Sequence, residues 1–128
     1  MPLADFLQLK TPGRDILTQV KIPTGCTAAI FRSQRLSTGD YAALNMTLAH
    51  TGGLWRLSVG ARPGRAALAP ETMALLNASE WNETLMEQAC ETVARELTYG
   101  TNSRGSAEYR RLLAAALLRS AMKEVCAC

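Results

Sequence analysis

The run YAALNMTLAHTGGLWRLSVGA (residues 41–61) consists of two alternating segments joined by glycines. In the first, Leu44, Met46, Leu48 and His50 fall on one side of an extended chain. In the second, Trp55, Leu57 and Val59 alternate with Arg56, Ser58 and Gly60. A period of two marks strands with one buried face. The Thr51-Gly52-Gly53 link suits a tight turn that needs positive φ, so the pair predicts a β-hairpin over 41–50 and 54–61. Upstream, residues 27–35 predict a strand that turns back through Ser37-Thr38-Gly39-Asp40. Before that, DILTQVKI (15–22) places Ile16, Val20 and Ile22 opposite Gln19 and Lys21, between the turn signals Pro12-Gly13 and Pro23-Thr24-Gly25. The expected sheet is therefore an antiparallel meander of about four strands over 14–62, behind a leading segment 1–13. Arg62-Pro63-Gly64-Arg65 closes it as a turn, not as a phosphate cradle.

Beyond Pro70 the period changes. Glu71 to Asn77 predicts a short helix with Pro70 near its start. A second helix is expected from the Asn82 cap to about Tyr99, with Leu85, Met86, Ala89, Cys90, Val93 and Leu97 on one stripe and Gly100 as a left-handed C-cap. The third starts after Gly105 with Ser106 as cap, and runs to 125. Its buried stripe is expected to hold Tyr109, Leu112, Leu113, Ala116, Leu117 and Ser120, widened by Leu118, Ala121, Met122 and Val125. Strands first and helices after give an α+β domain with three helices (70–125) on one face of the sheet, in one domain spanning 1–128.

The 128 residues suit one domain, and 48% hydrophobic with 20% charged residues is a globular composition. No apolar run is long enough to span a bilayer, and MPLADFLQLK lacks the basic and apolar regions of a secretory signal, so a cytoplasmic setting is expected. The net charge is +3 and the basic residues are scattered with few aromatics beside them; this argues against nucleic acid. Cys26, Cys90, Cys126 and Cys128 form no zinc spacing, and the expectation is two buried structural cysteines and a frayed tail. His50, the only histidine, sits at a strand end and reads as structural or exposed. Glu83, Glu87 and Glu91 recur at i+4 as a solvated stripe. No catalytic residue and no metal ligand is predicted.

The segment RGSAEYRRLLAAALLRSAMKEV (104–125) resembles the closing helix of the flavoprotein subunit of molybdenum hydroxylases, the family of the xanthine dehydrogenase medium subunit and the carbon monoxide dehydrogenase flavoprotein. The resemblance is carried there by Ser106, Glu108, Tyr109, Arg110, Leu117, Leu118 and Arg119. At the front, Leu3-Ala4-Asp5-Phe6-Leu7, Thr11, Pro12-Gly13, Ile16-Leu17-Thr18 and Ile22-Pro23 are similar to the family. So are Phe31, Arg32, Asp40 and Ala42 before the central strand. Family members often carry a lysine where Arg32 aligns, a serine near Gln34 and an arginine near Leu36, the last replaced by Arg35 with a one-residue shift.

The resemblance implies a fold like the C-terminal domain of the CO dehydrogenase flavoprotein. It also implies a structural and assembly role in an FAD-containing oxidoreductase subunit, supporting electron transfer through FAD. The Gly-rich FAD-binding portion precedes this domain in such subunits. FAD is thus expected in the full subunit and none on this chain alone. The partners would be that N-terminal portion and the molybdenum-cofactor and iron-sulfur subunits, with self-association of the isolated chain through exposed apolar surface. Arg32 and Arg35 are candidate flavin-side contacts, and Asp40, Tyr109 and Arg110 candidate interface or structural residues. For Tyr109 and Arg110 the competing reading is core packing with a snorkelling arginine. A free-standing α+β interaction module without flavin is the alternative function.

Overall fold

A computed structural model describes residues 1–9, 16–22, 24–78 and 80–126. In it the hairpin is the centre of the sheet. β2 (Leu44–Thr51) and β3 (Leu54–Gly60) pair antiparallel, with Leu48 opposite Leu57 and Met46 opposite Val59. Gly52 and Gly53 close the turn with φ of 61° and 77°, the pair of positive values that a type I′ turn demands. β1 (Cys26–Gln34) flanks β2 and β4 (Ala67–Leu68) flanks β3, giving the order β1-β2-β3-β4. One cross-strand row of Ile30, Leu48 and Leu57 faces the helices, and the next row of Phe31, Thr47, Ser58 and Leu68 faces away.

The α+β class and the four-stranded antiparallel sheet agree with the sequence reading, but one strand is exchanged. Residues 16–22 are not a strand; they run without regular structure, with Ile16, Leu17, Val20 and Ile22 exposed. Asp15 and the Pro12-Gly13 and Pro23 turn signals lie outside the described residues. The fourth strand is β4, so the sheet occupies 26–68 and not 14–62. Two residues are too few to show any period, which is why β4 leaves no trace in the pattern. A short helix α1 (Leu3–Gln8) precedes the sheet, held by Arg65 Nη1, which donates to the carbonyls of Leu7 (3.0 Å) and Leu9.

Helices α2 (Pro70–Ala78), α3 (Glu83–Glu96) and α4 (Ala107–Cys126) gather on the apolar face. α4 lies on β1 and β2, α2 on β3, and α3 closes over both helices. Leu44, Met46, Leu48, Leu57 and Val59 from the sheet meet Leu76, Val93, Ala114, Leu118 and Met122 in one buried cluster. Alanines at 89 and 114, both fully buried, allow the close approach of α3 and α4. Two side chains tie neighbouring elements through backbone groups. Asn77 accepts from Trp55 N at 2.8 Å and donates to the carbonyls of Trp55 and Met73. The Glu96 carboxylate accepts from the N–H groups of Glu71 (2.8 Å) and Thr72 (3.3 Å) and from the Thr72 hydroxyl, capping α2 from the end of α3.

Three further expectations are corrected. α3 stops at Glu96, and Gly100 is not in the left-handed region. Its N–H donates to the Arg62 carbonyl at 2.6 Å, and a Cβ there would lie 3.0 Å from the Pro63 ring; the glycine serves a close approach. On α4 Leu118, Ala121 and Met122 are buried as predicted, but the rest of the buried face is Arg110 and Ala114 and not the expected Tyr109, Leu112, Ala116 and Ser120. Tyr109, Leu112, Ala116 and Ser120 are exposed. Cys26 is exposed, its Sγ donating to the Ala28 carbonyl at 3.1 Å, and Cys126 ends α4 at the surface; only Cys90 is buried among the described cysteines. Cys128 lies outside the described residues. The Asn82 and Ser106 caps stand as expected, accepting from Leu85 N at 2.8 Å and Tyr109 N at 3.1 Å.

Tyr99 gives this core a pH signature. Its ring is 4% exposed and its hydroxyl donates to the Val93 carbonyl at 2.7 Å. Burial first, then the charge of Glu96, pushes its pKa up to about 12, against the opposing pull of Arg62 and Arg111. In the unfolded chain the phenol ionises near pH 10. The folded state therefore keeps a proton that the unfolded state has lost, and stability falls as pH rises from about 10 to about 12, by roughly 2–3 kcal/mol. Urea unfolding at pH 9 and pH 11.5 should show that loss, and Tyr99→Phe should remove most of the difference.

Candidate functional site

Of the polar residues singled out in the sequence, Arg35, Asp40, Tyr109 and Arg110 lie at one end of the sheet, where the β1–β2 loop (35–43) lies against the α3–α4 loop (97–106). The second loop folds on itself. Asn102 and Gly105 exchange two backbone hydrogen bonds at 3.1 Å, Asn102 Oδ1 accepts from Arg104 N at 2.9 Å, and Thr101 Oγ1 accepts from Ala107 N at 3.0 Å. A Cβ on Gly105 would stand 2.9 Å from the Tyr109 ring, so only glycine fits beside that side chain.

Arg110 fills the space this loop encloses and is completely buried. Its Nε donates to the Ala43 carbonyl at 2.8 Å, Nη1 to the carbonyls of Gly100 (2.7 Å) and Gly105, and Nη2 to Asn102 Oδ1 at 2.5 Å. None of these acceptors is a carboxylate, and among the described residues Arg110 joins no ion pair. Burial, and after it the charge of Arg104, lowers its pKa below the ordinary arginine value. The snorkelling arginine of the sequence reading is thus corrected: the guanidinium stays inside and Tyr109 beside it reaches the surface. The geometry exploits the guanidinium fork, which can serve several fixed carbonyls at once.

Asp40 stands at the rim. Its Oδ1 accepts from Tyr41 N at 2.7 Å and lies 3.6 Å from Arg104 Nε, and its carbonyl accepts from Arg35 Nη1 at 3.1 Å. The Arg104 guanidinium sits 5.0 Å from the centre of the exposed Tyr41 ring, a cation–π distance. Arg35 also donates from Nε to Ser33 Oγ at 3.3 Å. Arg32 is engaged elsewhere: it points to the helix side and pairs with Glu124 near the end of α4. The structure therefore gathers Arg35, Asp40 and Arg110 around the two loops, with Tyr109 on their flank, and gives Arg32 a different partner. Asn102, Arg104 and Tyr41 were missed in the sequence. The one available signal was the Thr-Asn-Ser-Arg-Gly-Ser stretch at 101–106, whose asparagine and glycine are turn residues with side-chain capping power.

Other chemistry-bearing groups are spoken for. His50 Nδ1 lies 2.7 Å from Thr27 Oγ1, and its ring packs at 4.8 Å on Trp55. Cys90 lines a cleft of about 420 Å³ with Glu87, Glu91, Arg111 and Arg119. Burial raises its thiol pKa in spite of Arg119, so it remains protonated at neutral pH. Among the described residues no three His, Cys, Asp or Glu side chains converge on a metal position, and no helix is long and apolar enough to cross a membrane. For FAD the test is a place for its pyrophosphate, which is commonly a free helix N-terminus. The N-termini of α2, α3 and α4 are already filled by Glu96, Asn82, and Ser106 with Thr101. Among the described residues these three helix starts are thus capped by side chains of the chain itself.

Removing the Arg110 side chain would take the guanidinium donor from the Ala43 and Gly100 carbonyls, leave the Gly105 carbonyl and Asn102 Oδ1 with only Asn102 N and Arg104 N, and open a hole under the loop. Arg110→Ala should cost about 3–5 kcal/mol in urea unfolding. Arg110→Lys, which keeps the charge and loses the fork, should recover less than half of that.

The chain matches the model of the CO dehydrogenase flavoprotein C-terminal domain over residues 29–125. It is 30% identical over 115 residues to the nicotine 6-hydroxylase medium subunit of Paenarthrobacter nicotinovorans, a match covering 86% of this chain and 41% of that protein. The chain thus spans less than half the length of this curated relative. Similar folds occur in carbon monoxide dehydrogenase from Hydrogenophaga pseudoflava (TM-score 0.68, 18% identity, 80% of this chain and 37% of that one). They occur also in quinoline 2-oxidoreductase from Pseudomonas putida 86 (TM-score 0.65, 24% identity, 75% and 35%). The sheet, the three packed helices and the match over 29–125 agree, and the chain belongs to the CO dehydrogenase flavoprotein C-terminal domain family.

Proposed function

We propose that this chain is the C-terminal, non-catalytic assembly domain of the FAD-binding medium subunit of a molybdenum-hydroxylase-type oxidoreductase of the xanthine dehydrogenase kind, working in the cytoplasm. The observation that carries the reading is the family match over 29–125. When bound in the full subunit, FAD supplies the electron relay. The work of this chain is to present a rigid surface to the flavin-binding portion and, through the subunit, to the molybdenum and iron-sulfur partners. Arg110 holds the β1–β2 and α3–α4 loops in place. Arg35, just past the end of β1, and Arg32 within it are the positive groups this reading assigns to a flavin held by the neighbouring portion, with Arg32 paired to Glu124 in this structure. Asp40 orients Arg35 and Arg104, and Tyr109 offers an exposed ring.

The test starts with the isolated chain. It should purify without visible flavin bands and take up no FAD in a titration. FAD held at near-unit stoichiometry would overturn the reading. Assembled with a flavin-binding portion it should retain FAD, and there Arg35→Ala should weaken retention about tenfold, ~1.4 kcal/mol. The same change should leave the thermal midpoint of the isolated chain within a degree or so, because Arg35 is exposed and its bonds are local.

A further inference from the structure

Between α3 and α4 runs a groove whose two walls carry opposite charge. Along α3, Glu83, Glu87 and Glu91 recur every four residues, and along α4 Arg111 and Arg119 stand eight apart. Both spacings keep a row on one helix face. The helices run antiparallel: Arg119 Nη1 lies 3.6 Å from Glu83 Oε1 at one end, and Glu91 and Arg111 line the groove together at the other. Ala94, Leu112 and Ala115 line it too.

Pairing within the chain leaves most of this charge unused. Glu83 and Arg119 take up each other, but among the described residues Glu87, Glu91 and Arg111 join no ion pair. All three are exposed, and Leu112 beside Arg111 is 67% exposed. A row of one sign is ordinarily a solvated face. An acidic row set across a groove from a basic row is different, because the surface is complementary to itself.

We propose that this groove is a homodimer interface, in which α3 of one copy lies on α4 of a second copy. A two-fold axis along the groove exchanges its walls. It sets α3 antiparallel to the second copy's α4, so that Glu91 meets Arg111 and Glu83 meets Arg119 across the interface, each pair occurring twice. An axis across the groove would instead lay α3 on α3 and the glutamates on one another, which like-charge repulsion opposes. Leu112, in the same groove, supplies apolar burial at the centre of the contact. The face is two helices wide and as long as the 14 residues of α3, about 20 Å on each side. That places the contact among small, transient interfaces, with a Kd on the order of tens of micromolar. The dimer does not rest on the function proposed above.

Sedimentation velocity on the 128-residue chain from about 5 to about 500 µM tests it. The expected result is a monomer passing to a dimer across that range. Glu91→Arg sets arginine against Arg111 twice, and Arg111→Glu sets glutamate against Glu91 twice, so each should weaken the dimer about tenfold or more. Mixed in equal amounts, the two variants should pair with each other about as tightly as the unaltered chain pairs with itself, since both reversed positions then meet opposite charge. Unchanged thermal midpoints show that the variants are folded. Should either fail to fold, Leu112→Ser takes its place and should weaken the dimer about tenfold. A chain that stays monomeric to the top of the range, a dimer that any of these changes leaves intact, or a mixture no tighter than its components overturns the proposal.

Discussion

A single guanidinium without a counter-charge holds the end of this domain together. Taking Arg110 out of water costs several kcal/mol. That cost is offset because four N–H groups find acceptors that are already fixed in space, on Ala43, Gly100, Asn102 and Gly105. Each is a charge-assisted hydrogen bond of the stronger sort. The acceptors come from two loops, and the donor from the first turn of α4. One side chain thus sets the angle at which the helix meets the sheet, the shape of the α3–α4 loop, and the start of β2. The contacts of Asp40, Tyr41, Arg104 and Arg35 around the rim depend on loops that Arg110 has placed.

The same habit recurs through the fold: polar side chains from one element satisfy the exposed ends of another. Glu96 caps α2, Asn77 mimics a backbone partner for Trp55, and Thr101 and Ser106 occupy the start of α4. Such exchanges rigidify a small domain. At α2, α3 and α4 they cap the helix N-termini from within the chain.

Much of this was legible in the sequence. The Gly52-Gly53 hairpin, the Asn82 and Ser106 caps and the apolar stripe of α3 are local signals, and each was realised in place. The failures share a cause. A stripe drawn through apolar residues put Leu112 inside and Arg110 outside, because periodicity assigns a charge to solvent. Only the tertiary arrangement of carbonyls makes an arginine a better core residue than a leucine at that position. Gly100 carried a true signal with the wrong reason: close packing on Pro63, not backbone handedness. Residues 16–22 have the local pattern of a strand, but pairing is a property of two segments and the pattern names only one.

The separation between Arg110 and Ala43 is 67 residues, and that spacing orders events in time. The β2–β3 turn closes a loop of a few residues and can form within microseconds of its synthesis. The bond from α4 to Ala43 must wait for the rest of the chain and must close a far larger loop. Until α4 is in place, the part of the sheet that it covers, on β1 and β2, lacks that helix.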